Sequence, residues 1–385
     1  MKKIRVGTIG LSYNHRKNFF GLVSTEVAYS KVLDLISPYR FMMRSPRLKK
    51  LLAHPIMKNI HYAPFQKKVD LFHFFNALSL SKTPWITTFE TSLPRWGIDK
   101  FGLKTIISDS CKGIVAMSGC AKSIMLKRVE EEFPEYLQKI SEKLTVIHPS
   151  QHPNLGSWEE KGVVLEDSLV FTLIGNDFFR KGGAETLRVF DRLILGGANV
   201  QLRIISNLKF NDYASKTTQA DQEWALKVIS RYPDQIFHFK NIPNTDVLEL
   251  LKSTHVGLLP TYADTYGYSV LEYQSMACPV ISTNIRALPE INSNEKGWVI
   301  EVPKDEYGEG LFRKNEERQL LSRIVEEALE KVILEILADA SIISSKGEKA
   351  LQGLKEKNNP KKNGEAYLEI YKKALNRLDT VYSTP

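Results

Sequence analysis

The chain has 385 residues, 43% of them hydrophobic and 25% charged, with a formal net charge of +9. That is ordinary globular composition, with room for two to three domains of roughly 150 residues each. It holds no run near the roughly 20 apolar residues of a membrane-spanning helix. Three cysteines without a Cys-x-x-Cys pair argue against a disulfide framework or a structural zinc site.

The start, Met1-Lys2-Lys3-Ile4-Arg5-Val6-Gly7, has the basic front of a signal peptide. Its apolar run is short and is interrupted by Gly7, Gly10 and Ser12, so a first strand over Ile4–Ile9 is expected, in a protein that stays in the cytoplasm. Gly7-Thr8-Ile9-Gly10 reads either as a simple turn or as a point where a ligand approaches the backbone. Residues 1–110 carry eighteen Lys/Arg against six Asp/Glu, so the positive excess lies in the first third. Within it, Ser37–Leu52 mixes cations with Phe, Met and Leu. It reads as a basic-faced helix over the domain core or as a segment that lies on anionic lipid. No zinc-finger spacing or aromatic RNA-binding signature accompanies the charge, and nucleic acid is not an expected partner.

Further strands are expected at Val69–Phe74, Trp85–Phe89, Gly113–Met117 and Leu144–His148. A second series falls at Val170–Ile174, Val200–Ile205, Ile236–Phe239, Val256–Leu259 and Val280–Thr283. Runs that are apolar throughout predict parallel strands buried on both faces under helices. The unpatterned segment Pro149–Asp167 reads as a linker. Glu316–Ala340 and Gly364–Leu378 carry apolar residues at helical spacing. The expected division is 1–160, 161–358 and a C-terminal helical segment 359–385.

Two loops carry the chemistry. In Thr261–Glu290, Asp264 sits beyond the strand Val256–Leu259, and Glu272 follows on a helix that starts near Gly267. The amides of Gly267, Tyr268, Ser269 and Val270 then form that helix's N-terminus, a ready anion site. A carboxylate beside sugar hydroxyls accepts charge-assisted hydrogen bonds. Amides for a phosphate next to two acids suit one ligand with both a diphosphate and sugars. In Leu173–Leu187, Arg180-Lys181-Gly182-Gly183 opens a helix after a strand. Cations are disfavoured at a helix N-terminus, so two there point to an anionic ligand. A departing diphosphate needs such neutralisation when no metal supplies it, and no Asp-x-Asp is placed to hold one.

These two segments resemble the signature regions of glycosyltransferase family 4. Its pattern includes a Lys-Gly after a strand and glycine, two acids seven residues apart, and a Met-Ala-Cys-Gly-x-Pro-Val-like stretch. Here that stretch reads Ser275-Met276-Ala277-Cys278-Pro279-Val280-Ile281. The wording of 175–183, GNDFFRKGG, is most similar to lipopolysaccharide-core enzymes of that family. The resemblance is strong over about 165–300 and weaker before it.

The resemblance implies an α/β chain with the GT-B fold, two doubly wound Rossmann-like domains facing a central cleft. The first would bind acceptor, the second a nucleotide-sugar, and the last helix would cross back to the first domain. It implies a retaining glycosyltransferase that acts by front-face attack, without a metal or other cofactor. Arg180 and Lys181 match the phosphate-binding pair, Glu272 the acid on the donor ribose, and Asp264 the acid facing the donor sugar. Thr265 and Tyr266 lead into the amides of Gly267–Val270. Phe239, Asn241 and Ile242 lie on the loop whose backbone meets the base. Three positions depart from the pattern. Asp264 stands for a Glu, Asn176 for an Arg, and Phe89 for the N-terminal domain's histidine. Glu90 is therefore a candidate for sugar or acceptor contact, with His73 and Gly10 as further candidates. His73 also reads as a packed core residue.

The expected donor is a UDP-sugar. The expected acceptor is a glycan or glycolipid of the cell envelope, reached at the inner face of the membrane. A nucleotide-sugar epimerase of the same fold and a non-catalytic partner subunit are the alternatives.

Overall fold

The computed structural model describes residues 3–10, 12–22, 25–42, 45, 55–64, 69–165 and 168–376. Most of the basic segment 37–52 thus lies outside the described residues, apart from a short helix Ser37–Met42. The chain forms two compact units. One joins residues 1–150 to the stretch from Asn358 onward, and the other is Gln151–Lys357.

In the first unit the strands are β1 (Ile4–Thr8), β2 (Val27–Lys31), β3 (Ile60–His61), β4 (Leu71–Phe75), β5 (Leu78–Ser79), β6 (Trp85–Phe89), β7 (Cys111–Ala116) and β8 (Leu144–Val146). Six of them make one sheet in the order β2-β1-β4-β6-β7-β8, and β3 pairs with β5 separately. Every pairing is parallel. β6 is buried along its whole length, as a central strand covered on both faces must be. β2 was not expected from the sequence. Only Val27 is fully buried in it, so an edge strand open to solvent gives no continuous apolar run. The helix Pro360–Ala374 belongs to this unit, with Tyr367, Leu368, Tyr371 and Ala374 buried against Ile4, Val6 and Phe19.

The second unit repeats the pattern with β9 (Leu169–Ile174), β10 (Val200–Ile205), β11 (Ile236–Phe239), β12 (Val256–Leu259), β13 (Val280–Thr283) and β14 (Gly297–Ile300). Its order is β11-β10-β9-β12-β13-β14, again all parallel. Ligands in such sheets bind beyond the carboxyl ends of the strands, where the order reverses. The reversal falls between β9 and β12, the strands that feed the two chemically marked loops. β14 was absent from the expected set; it is an edge strand that opens with a glycine. The helix Ile342–Lys357 was also missed, because Gly347 and Gly353 interrupt its helical pattern. Gly347 is needed for close packing: a Cβ there would lie 2.4 Å from the Ala277 carbonyl oxygen and 2.5 Å from the Trp158 ring.

The contact boundary falls after Ser150, ten residues before the expected 160/161. Asn154 donates to the Ser275 hydroxyl, Trp158 donates its amide to Glu348, and the ammonium of Lys161 is buried on the carbonyls of Leu251 and Met276. The supposed linker is thus packed into the second unit.

Candidate functional site

The loop after β9 is shaped by two glycines. Gly175 has φ +151°, and a Cβ there would lie 2.2 Å from Lys181 Cδ. Only glycine lets the lysine side chain cross the backbone at that point. Gly182 has φ +79°, and a Cβ there would meet the Pro260 carbonyl oxygen at 2.2 Å. It caps the helix Gly183–Leu195 and seats it against the loop after β12. The two loops are then tied together. The Arg180 carbonyl accepts from the Tyr262 amide at 2.9 Å and from the Thr261 hydroxyl at 3.1 Å. The Arg180 guanidinium donates to the Ala263 carbonyl and, at 2.7 Å, to Asp177 Oδ2.

Lys181 Nζ lies 2.8 Å from Asp264 Oδ2. The other oxygen of Asp264 accepts from the amides of Gly267 at 3.0 Å and Tyr266 at 3.3 Å. Burial of the Asp264 carboxyl works to raise its pKa. The Lys181 ammonium, the Arg180 guanidinium and the Tyr266 N–H outweigh burial and hold it below its ordinary value. Asp264 is therefore ionised, and it fixes the turn into the next helix.

That helix is Tyr268–Ser275, capped by Gly267 at φ +93°. A Cβ on Gly267 would sit 2.5 Å from Leu288 Cδ2. The first amides of a helix have no partner within it. Gly267 N–H is already given to Asp264, and Val270 N–H to the Gly267 carbonyl at 2.9 Å. Ser269 is 8% exposed, and its buried hydroxyl has no hydrogen-bond partner. A buried polar atom left unpaired is costly, and a water or a ligand can supply the missing bond. Glu272 lies one turn further on and is half-buried. The helix beneath it is anchored by the Tyr273 hydroxyl on the Thr172 carbonyl at 2.8 Å and by Gln274 on the Ile291 carbonyl at 2.7 Å.

The remaining expected residues divide. Thr265 is half-buried, and Tyr266 is 1% exposed with its ring against Tyr268, so its side chain is core and only its backbone borders the site. Phe239 ends β11. Asn241 is exposed at φ +51° and Ile242 is half-buried, so both follow the strand in a tight turn at the carboxyl end of the sheet.

In the first unit, Glu90 follows β6. It accepts from Asn76 Nδ2 at 3.0 Å and from Asn14 Nδ2 at 3.4 Å, with Arg95 at 3.9 Å. These residues gather beyond the ends of β1, β4 and β6. Gly10 is beside them, half-buried, where a Cβ would touch His15 at 3.1 Å.

His73 takes a core position. It is fully buried and stacked on Phe19 at 3.6 Å between ring centroids. Its Nδ1 is 2.7 Å from the Tyr371 hydroxyl and its Nε2 is 2.9 Å from the Thr88 hydroxyl. Burial, with the charge of His15, pushes its pKa well below 6.5. Both ring nitrogens are thus paired within the first unit.

Asp177 was missed. It holds Arg180 and also faces Lys209 at 3.5 Å. Its place three residues before Arg180 on one turn is the pattern that gives it away. A cavity of about 420 Å³ lies elsewhere in the second unit, lined by Glu185, Arg188, Ser322 and Tyr262 among others. Arg188 there is already paired with Glu185 and Glu326. Among the described residues, no three His, Cys, Asp or Glu side chains gather as metal ligands. No helix of the described residues is long and apolar enough to cross a membrane.

Residues 156–331, a little under half of the chain, match the family described as glycosyl transferases group 1. The chain is 24% identical over 139 residues to the capsular polysaccharide biosynthesis glycosyltransferase CapM of Staphylococcus aureus, covering 36% of this chain and 34% of that protein. It is 26% identical over 219 residues to the uncharacterized glycosyltransferase MJ1607 of Methanocaldococcus jannaschii, covering 52% and 53%. These matches span about a third and about half of the relatives' own length.

Among solved structures, a glycosyltransferase from Rickettsia africae superposes with a TM-score of 0.60 at 16% identity, covering 97% of this chain and 99% of that one. Anabaena HepE in complex with UDP gives 0.59 at 11% identity, covering 96% and 99%. WaaG, a glycosyltransferase involved in lipopolysaccharide biosynthesis, gives 0.53 at 13% identity, covering 94% and 99%. The fold is GT-B, and the part similar to the glycosyl transferases group 1 family lies in the second unit.

Proposed function

We propose that this chain is a retaining glycosyltransferase of family 4. It moves a sugar from a nucleotide-sugar, with UDP the first choice of nucleotide, to a glycan or glycolipid in cell-envelope polysaccharide or lipopolysaccharide biosynthesis. The observation that carries this is the join of two loops. Lys181 on one is paired with Asp264 on the other, directly before a helix start whose buried Ser269 hydroxyl lacks a partner.

In this reading the helix amides and Ser269 hold the diphosphate, and Arg180 and Lys181 neutralise its growing charge as the glycosidic bond breaks. Lys181 then shares its protons between Asp264 and a phosphate oxygen. Asp264, kept ionised, faces the donor sugar, and Glu272 accepts from the ribose hydroxyls. The backbone of Phe239, Asn241 and Ile242 meets the base. The acceptor hydroxyl attacks from the side of the leaving group, so the configuration is retained. No metal is called on. Glu90, steadied by Asn14 and Asn76, contacts the acceptor. HepE was crystallised with UDP-glucose, which favours a UDP donor here.

Peripheral attachment to an anionic membrane surface is part of the same proposal. Leu33, Leu35, Phe41 and Leu80 are exposed. Leu35 N–H bonds to the Tyr62 carbonyl and Leu80 N–H to the His61 carbonyl, which brings Leu35, Tyr62 and Leu80 together in the strongly basic first unit. Apolar side chains set among cations suit a lipid headgroup boundary.

The test is a thermal-shift titration with UDP-, GDP-, ADP- and dTDP-sugars on the intact chain, with Glu272→Ala and Lys181→Ala beside it. A ligand that binds only the folded state raises the melting temperature. A rise with one nucleotide, lost in both variants, supports the donor site. No rise with any donor at millimolar concentration overturns it.

A further inference from the structure

Next to the paired loops stands an aromatic side chain that the functional reading leaves unused. Tyr213 lies on the loop that leaves β10, and it is 59% exposed. Asp212 holds this loop in shape, accepting from the amides of Ala214 at 2.8 Å and Ser215 at 2.7 Å. Ala214 is fully buried, so the loop is pinned directly after Tyr213. The Arg180 guanidinium lies over the tyrosine ring at 5.9 Å. The Phe312 ring meets it edge to face at 5.9 Å. The Tyr213 phenol also feels the charges of Arg180, Asp264 and Arg286.

A large ring held rigidly yet left open beside a phosphate-neutralising arginine has a chemical use. The C–H faces of a pyranose ring are apolar and slightly positive, and they stack on aromatic faces. We propose that Tyr213 is the platform for the sugar of the nucleotide-sugar, and so helps to set which sugar is accepted. This rests on the donor site proposed above and adds a residue to it. Arg180 fixes one side of the ring and Phe312 its edge, so little freedom is lost on binding.

The experiment compares free diphosphate with sugar ester. UDP, GDP, ADP and dTDP are titrated by calorimetry, each alone and as its glucose, galactose and N-acetylglucosamine esters where these exist. Wild type, Tyr213→Ala, Tyr213→Phe and Tyr213→Leu are used as the full chain. For the nucleotide that wild type binds, Tyr213→Ala and Tyr213→Leu are expected to weaken the preferred sugar ester by about three- to tenfold. The free diphosphate should be unaffected, and Tyr213→Phe should restore the ester. An unchanged affinity for free diphosphate also shows that the variants are folded. Equal weakening of diphosphate and ester, or no weakening of either, overturns the role of Tyr213 while leaving the donor site in place. A wild-type chain that binds no diphosphate overturns the donor site and this inference with it.

Discussion

Lys181 and Asp264 stand 83 residues apart in sequence and 2.8 Å apart in space, each only about one-seventh exposed. Removing the cation leaves a carboxylate poorly solvated and unpaired. Breaking a fully buried pair costs about 3–5 kcal/mol, and partial exposure should reduce this. Lys181→Ala is expected to lower stability by about 1–3 kcal/mol in urea unfolding, and to abolish the donor-dependent rise in melting temperature. A variant as stable as wild type would show the pair to be solvent-screened.

The same pair sets an acid limit. The folded state holds the Asp264 carboxyl below 3.8, so its stabilisation is present above that value and is lost as pH falls through the lower folded pKa. Asp264→Asn should lose less stability than wild type between about pH 5 and pH 2. Some loss will remain, because Asp177 is also depressed: burial opposes, but Arg180 and Lys209 prevail. Parallel curves for the two proteins would remove Asp264 as the source.

Gly267→Ala tests the helix start. At φ +93°, with Leu288 Cδ2 2.5 Å from the new Cβ, the substitution combines backbone strain with a clash. A loss of at least about 1–2 kcal/mol is expected, together with weaker nucleotide binding. Unfolding and calorimetry on one preparation separate the two effects, and unchanged nucleotide affinity would place the ligand away from this turn.

Transfer should survive chelation. If Arg180, Lys181 and the helix amides neutralise the leaving group, sugar transfer measured in excess EDTA should match the untreated rate within about twofold. Loss of activity restored by a divalent ion would assign that task to a metal instead.

Tyr371→Phe probes the core of the first unit. Removing the hydroxyl that meets His73 at 2.7 Å leaves a buried nitrogen unpaired, at a cost of about 1–3 kcal/mol. Nucleotide-induced stabilisation should be unchanged. Because burial, with His15, keeps His73 neutral in the folded chain, its pKa lies below 6.5 there. Wild-type stability should therefore decline as pH drops below 6.5, toward the lower folded value. A pH-independent stability over that range would contradict the burial of a neutral imidazole.

Most of the ten strands could be read from the sequence because β4, β6, β9, β10, β12 and β13 lie inside parallel sheets and are largely apolar in runs. β2 could not, since its edge position leaves all but Val27 at least partly open. The helix Ile342–Lys357 hid behind Gly347, whose role appears only when Trp158 and Ala277 are placed against it. The two chemically marked loops were legible for a local reason: glycines, adjacent cations and spaced acids stand out from the apolar strands that precede them.

The sequence by itself determined the two-unit α/β layout and the residues of the two loops, because strand burial and helix capping act over a few neighbouring positions. Only the tertiary structure decided that Asp264 is paired with Lys181 and that Tyr213 stands over Arg180. It also decided that His73 is sealed in by Tyr371, 298 residues away. Such contacts join distant stretches of chain, and neither periodicity nor spacing encodes which buried polar groups will meet when the strands assemble.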